Sequence, residues 1–134
     1  MHPSAGSGYR LTFTEHPDYL RADVSGARDS VEISTAYWAE IAERSRASHV
    51  SRLLVVESIE QRSTLGDTIE IIDALVAMGF RDMRIAYVDL REEAGLLAQT
   101  EFLAARAGLV GRVFAHTGHA LEWLLQEPPG AAET

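Results

Sequence analysis

The feature that most constrains this chain is the unbroken apolar run Leu53-Leu54-Val55-Val56, bounded by Arg52 on one side and Glu57-Ser58 on the other. A strand with no polar face has to be covered on both sides, usually by helices, and this reads as a central strand of an α/β sheet. The rest of the sequence supplies the cover.

Upstream, Leu11 and Phe13 alternate with Thr12 and Thr14, and Leu20, Ala22 and Val24 alternate with Arg21, Asp23 and Ser25. Period two with one polar face marks half-buried strands, and His16-Pro17-Asp18 between them is turn chemistry, so the pair reads as an antiparallel hairpin. After Gly26–Ser30, Ile33, Tyr37 and Ile41 recur at helical spacing, with Asp29 or Ser30 as the cap.

Downstream, Asp67 followed by Glu70 is a capping box. Ile69, Ile72 and Val76 line one side of that helix before Gly79 ends it. Ile85–Val88 is the next buried strand. Leu96, Leu97, Thr100, Leu103, Ala104 and Ala107 trace a helical stripe that Gly108 closes. Val113-Phe114-Ala115 is the last strand; Thr117 caps a final helix with Ala120, Leu121, Leu124 and Leu125 on its buried side. Short strand-helix alternation implies parallel pairing. The expected fold is α/β, in the order β-β-α-β-α-β-α-β-α, a five-stranded mixed sheet with four helices. The body spans residues 9–126 as one domain, and residues 1–8 and 127–134 are expected to be loose.

Composition closes off much chemistry. The chain has 134 residues, no cysteine and no lysine, since all twelve basic residues are arginine. This removes thiol nucleophiles, thiolate metal sites, lysine Schiff bases and the phosphate-reaching lysine of a P-loop. A formal net charge of -8 disfavours nucleic acid and anionic membrane surfaces. No apolar run approaches the ~20 residues of a membrane span, and no export signal is evident, so the chain is expected to be cytoplasmic.

The stretches YRLTFTEHPDYLRADVSG, RLLVVES, RIAYVDL, EFLAARAG and GRVFAHTGHALEWLL resemble small STAS-like (SpoIIAA-like) bacterial proteins, most of them uncharacterised; the CRAL-TRIO lipid-binding fold is a more distant likeness. The resemblance implies a STAS/SpoIIAA-like sheet and action through protein contacts. In phosphorylatable STAS domains a serine opens the helix after the third strand. Ser63 or Thr64 stands at that place, but Arg62 replaces the acidic residue before it, a departure from the phosphoswitch pattern.

In open α/β sheets ligands meet the carboxyl ends of the parallel strands. That rim gathers Glu57, Arg62, Ser63, Thr64, Asp89, Arg91 and His116, able to bind a polar ligand or partner; the bland alternative is that they cap helices and pair with one another. His116, His119 and Glu122 have spacings that suit a metal, yet solvated or capping roles account for them, and neither metal nor cofactor is expected. No G-x-S-x-G elbow or glycine-rich phosphate cradle occurs within the body. The expected function is a non-catalytic protein-interaction or regulatory domain, docking on a protein partner or on itself as a dimer. The alternative is a small-molecule or lipid-binding module with a cavity near Ile69, Ile72, Leu96 and Leu103. A third, enzymatic reading would use Glu57, Asp89 or His116 as acid or base.

Overall fold

Two arginines and two acids bracket the middle of the sheet. In the computed structural model, which describes residues 8–26, 31–59, 65–90 and 94–126, strands β3 (Arg52–Ile59) and β4 (Arg84–Asp89) run parallel with Arg52 opposite Arg84 and Glu57 opposite Asp89. Around them β1 (Arg10–Glu15) pairs antiparallel with β2 (Leu20–Gly26), β2 parallel with β3, and β4 parallel with β5 (Val110–Phe114). The sheet order is β1-β2-β3-β4-β5. The leading hairpin, the mixed sheet and the four helices follow the sequence expectation.

Every crossover steps to the next strand in the same direction, which brings three helices to one face. Here α1 (Val31–Ser48), α2 (Leu65–Ala77) and α3 (Ala94–Arg106) close the larger core. Leu53 and Val55 of β3 and Ile85 of β4 meet Tyr37, Trp38 and Ile41 of α1 and Ile72 and Leu75 of α2, with Leu103 and Ala104 of α3 packed against them. The alternate residues Leu54, Val56, Ala86 and Val88 point the other way. They meet Ala120 and Leu124 of α4 (Thr117–Leu125). The apolar run is thus buried on both sides, with Leu53, Leu54 and Val55 fully enclosed.

Several local expectations shift. Helix α2 begins at Leu65, so Asp67 lies inside its first turn, where its charge still favours the helix dipole. Gly79 ends that helix in the left-handed region (φ 92°), and a 3-10 turn over Phe80–Asp82 follows; this turn seats Phe80 in the core. Strand β5 starts at Val110, three residues before the expected Val113. At the start of α4 the extended N-cap residue is His116, with no capping bond from its side chain, where Thr117 was expected. Ile69 and Leu125, assigned to buried stripes, are exposed. Asp29 and Ser30 lie outside the described residues.

Candidate functional site

Period two carries the two acids to the same face as the larger core. Counting from Leu53 and Val55 reaches Glu57, and counting from Ile85 reaches Tyr87 and Asp89. Glu57 and Asp89 are cross-strand partners on strands ~4.8 Å apart. Both are buried, at 5% and 4% exposure, which is far from the ordinary situation of a carboxylate. Burial of this kind has to be compensated by hydrogen bonds or charge.

Part of the compensation of Glu57 comes from aromatic hydroxyls. The Tyr37 phenol of α1 donates to Glu57 Oε2 at 2.9 Å, and the Tyr87 phenol donates to the same oxygen. Ser34 Oγ, one helical turn before Tyr37, donates to the Tyr37 oxygen at 3.5 Å. Burial, and then the charge of Glu57, push the Tyr87 phenol well above the usual tyrosine range; Asp89 acts in the same sense. A neighbouring relay holds the start of β1 to α1. The Tyr9 phenol donates to Glu40, and burial followed by that carboxylate raises Tyr9 to about 12.

Ser34, Tyr37, Glu57, Tyr87 and Asp89 line one end of a cavity of about 130 Å³ between the sheet and α1, α2 and α3. Its walls are apolar, made by Ile71, Ile72 and Leu75 of α2, Ala104 of α3, Ile85 of β4, and Leu109. Trp38 forms a further wall. Its indole lies nearly parallel to the Tyr87 ring, 6.1 Å between centroids at 19°, and meets Phe80 edge-on at 5.3 Å. Thr68 of α2, Thr100 of α3 and Arg112 of β5 add polar and charged groups to the lining. The cavity is apolar along its length and acidic at the carboxyl end of the central strands.

The expected rim is therefore divided. Glu57 and Asp89 come together. His116 does not join them: it is exposed at the start of α4, on the opposite face, its ring edge-on to His119 at 5.5 Å. Arg62, Ser63, Thr64 and Arg91 lie outside the described residues. Of the apolar residues assigned to a cavity, Ile72 lines it; Ile69 is exposed and Leu103 packs against the core. Sequence reasoning missed Ser34, Tyr37, Trp38 and Tyr87 as site residues. Period two from Ile85, and the helical spacing Ser34, Tyr37, Trp38, Ile41, would have placed them there. Among the described residues no three histidine, aspartate or glutamate side chains gather as a metal set, and no helix is long and apolar enough to cross a membrane.

No protein-family model matches the chain, and no curated protein matches it. Among solved structures it is similar to an uncharacterized protein of the DUF3478 family from Shewanella loihica PV-4, described as having a SpoIIAA-like fold. The likeness covers 90% of this chain and 97% of that one, with a TM-score of 0.58 and 14% sequence identity. It gives no support to the CRAL-TRIO likeness. At this identity the comparison speaks for architecture alone. The chain has the SpoIIAA-like fold.

Proposed function

We propose that this domain is a small-molecule-binding module without a reaction of its own, and that its cavity under α1, α2 and α3 is the binding site. The observation that carries this reading is the combination of apolar walls with one end built from Glu57, Asp89, Tyr37 and Tyr87. Binding sites are mostly apolar with a few convergent polar groups, whereas a core that serves stability alone keeps carboxylates out. The volume limits the occupant. About 130 Å³ is close to the ~150 Å³ apolar cavity known to accept a benzene ring, and below the ~300 Å³ at which drug-sized sites begin. A single ring or a short branched chain fits; a lipid tail does not.

Docking on a protein partner or a second copy, ranked first from the sequence, is supported by the fold likeness and by exposed apolar residues. Those residues, among them Ile69, Leu90, Phe102 and Leu125, belong to different segments, so the cavity is the more specific observation. The test uses benzyl alcohol as a neutral one-ring probe. It should raise the thermal midpoint of the wild-type chain and leave Ala104→Phe, which fills the cavity, unmoved once circular dichroism has shown that the variant folds. Equal shifts in both proteins, or a shift in neither, would rule the reading out.

A further inference from the structure

The two outer strands of the sheet are finished differently. Strand β5 is guarded: the Val113 N–H points away from β4 and donates to Glu101 Oε2 of α3 at 2.9 Å, and Arg112 adds a charge to the same rim, 3.9 Å from Glu101. Among the described residues, the main chain of β1 has no such cover at the other end. We propose that β1 is a self-association surface, pairing antiparallel with β1 of a second copy so that two five-stranded sheets become one.

The direction of the open main-chain groups follows from the hairpin. His16 N–H donates to the Tyr19 carbonyl at 3.0 Å, so the facing pair His16 and Tyr19 is a hydrogen-bonded one. Such pairs alternate along an antiparallel ladder. Thr14–Arg21, Thr12–Asp23 and Arg10–Ser25 are therefore the bonded pairs, and the N–H and C=O groups of Leu11, Phe13 and Glu15 turn outward. Among the described residues these outward groups have no hydrogen-bond partner. Natural edges are blunted by charge, proline, a bulge or brevity. The interior of β1, Leu11-Thr12-Phe13-Thr14, has no charge and no proline, and its pairing with β2 runs without a bulge over all six residues.

A second copy fits this edge because the edge is complementary to itself. A two-fold axis at Phe13 sets Phe13 against Phe13, Leu11 against Glu15 and Thr12 against Thr14 of the second copy, keeps each facing pair on one side of the sheet, and forms about six main-chain bonds. The aromatic pair and the two threonine pairs are stabilising cross-strand combinations. Charge permits the approach. The chain carries a formal -8, yet the charges of β1 are Arg10 and Glu15, which cancel, and neither meets its own kind across this axis. None of the described cavity-lining residues belongs to β1, so the pairing leaves the cavity intact and does not depend on ligand binding. Six residues make a small interface, and association is expected at micromolar rather than nanomolar concentration.

The experiment is sedimentation velocity on the full chain from about 2 to 200 µM. The wild type should pass from monomer to dimer across that range. Phe13→Pro removes an outward N–H that β2 does not use, and it should stay monomeric throughout. Thr12→Lys with Thr14→Lys sets lysine against lysine twice and should weaken the dimer about fivefold; Thr12→Lys with Thr14→Glu sets opposite charges there and should strengthen it by about the same factor. Circular dichroism checks that each variant folds, and if Phe13→Pro or the lysine pair does not, the charge-matched variant against the wild type decides. A wild type that is monomeric at every concentration overturns the proposal and leaves the edge to some other extended segment. A dimer that survives in folded Phe13→Pro, or that is indifferent to charge at positions 12 and 14, overturns it as well by placing the interface elsewhere.

Discussion

The two ends of β3 and β4 make opposite use of a charge pair. At the amino end, Arg52 and Arg84 face each other across the strands and are taken up by the fold. The Arg84 guanidinium donates to the Trp123 carbonyl at 2.7 Å and lies 3.9 Å from the centre of the Trp123 ring, while Arg52 reaches the Gln126 carbonyl at 3.5 Å. These carbonyls belong to the closing turn of α4, where a helix has acceptors left over and a partial negative charge. Burial, together with the nearby charge of Arg52, lowers Arg84 from its ordinary range, and Arg84 Nε is buried without a hydrogen-bond partner. At the carboxyl end the acids are just as closely paired, yet they border a cavity. One pair fastens a helix; the other furnishes a space. The lesson is that buried charge marks a candidate site only when the volume beside it is not already filled by the protein's own groups.

The sharpest way to break this contrast is to remove the wall next to the acids. Trp38→Ala deletes a side chain that is 4% exposed and touches Tyr37, Phe80 and Tyr87, and it should cost about 3–5 kcal/mol in urea denaturation. A loss under about 1 kcal/mol would mean that the aromatic wall is not packed as described.

A smaller effect separates the acid end by its pH dependence. A phenol whose titration is raised in the folded chain keeps its proton there after the unfolded chain has lost it. Its stabilising contribution is therefore complete below about pH 10 and is lost progressively above it. Wild-type stability should fall from about pH 10 upward, and Tyr87→Phe should flatten that fall. At neutral pH the same substitution should cost roughly 1–3 kcal/mol through the lost bond to Glu57. An unchanged alkaline slope in Tyr87→Phe would contradict the placement of its hydroxyl against Glu57. At the basic end, Arg84→Ala should cost about 1–2 kcal/mol with no effect on benzyl alcohol binding, since it gives up one carbonyl bond and one cation-π contact remote from the cavity. Altered probe affinity in this variant would show that the two ends are coupled.

Much of the architecture was legible because periodicity reports directly on which side of an element is dry. The run Leu53–Val56 announced a strand covered twice, and the alternation in 11–25 announced the hairpin. Boundaries were less legible where composition interrupts the pattern. Strand β5 includes Gly111 and Arg112, which hide its start; Gly111 lies against Ile85, and a Cβ there would stand 3.4 Å from the Ile85 carbonyl oxygen. The site was half legible. Glu57 and Asp89 were found from their position at the strand ends, but a rim is a line in sequence and two faces in space. Nothing in Ala115-His116 declares that the chain turns there to the opposite side of the sheet and takes His116 with it. The phenols were read as core because tyrosine at helical or strand spacing is usually that; their second role exists only once α1 lies over β3 and β4.

The unequal distribution of helices also has a consequence for biosynthesis. Among the described helices, α4 is the one that covers Leu54, Val56, Ala86 and Val88, and it follows all five strands in chain order. During translation that side of the nascent sheet stays bare until the ribosome has released α4. In that interval it presents a sticky aliphatic patch of the kind that chaperones recognise, so the domain's vulnerability to aggregation is concentrated in the time between the emergence of β5 and that of α4.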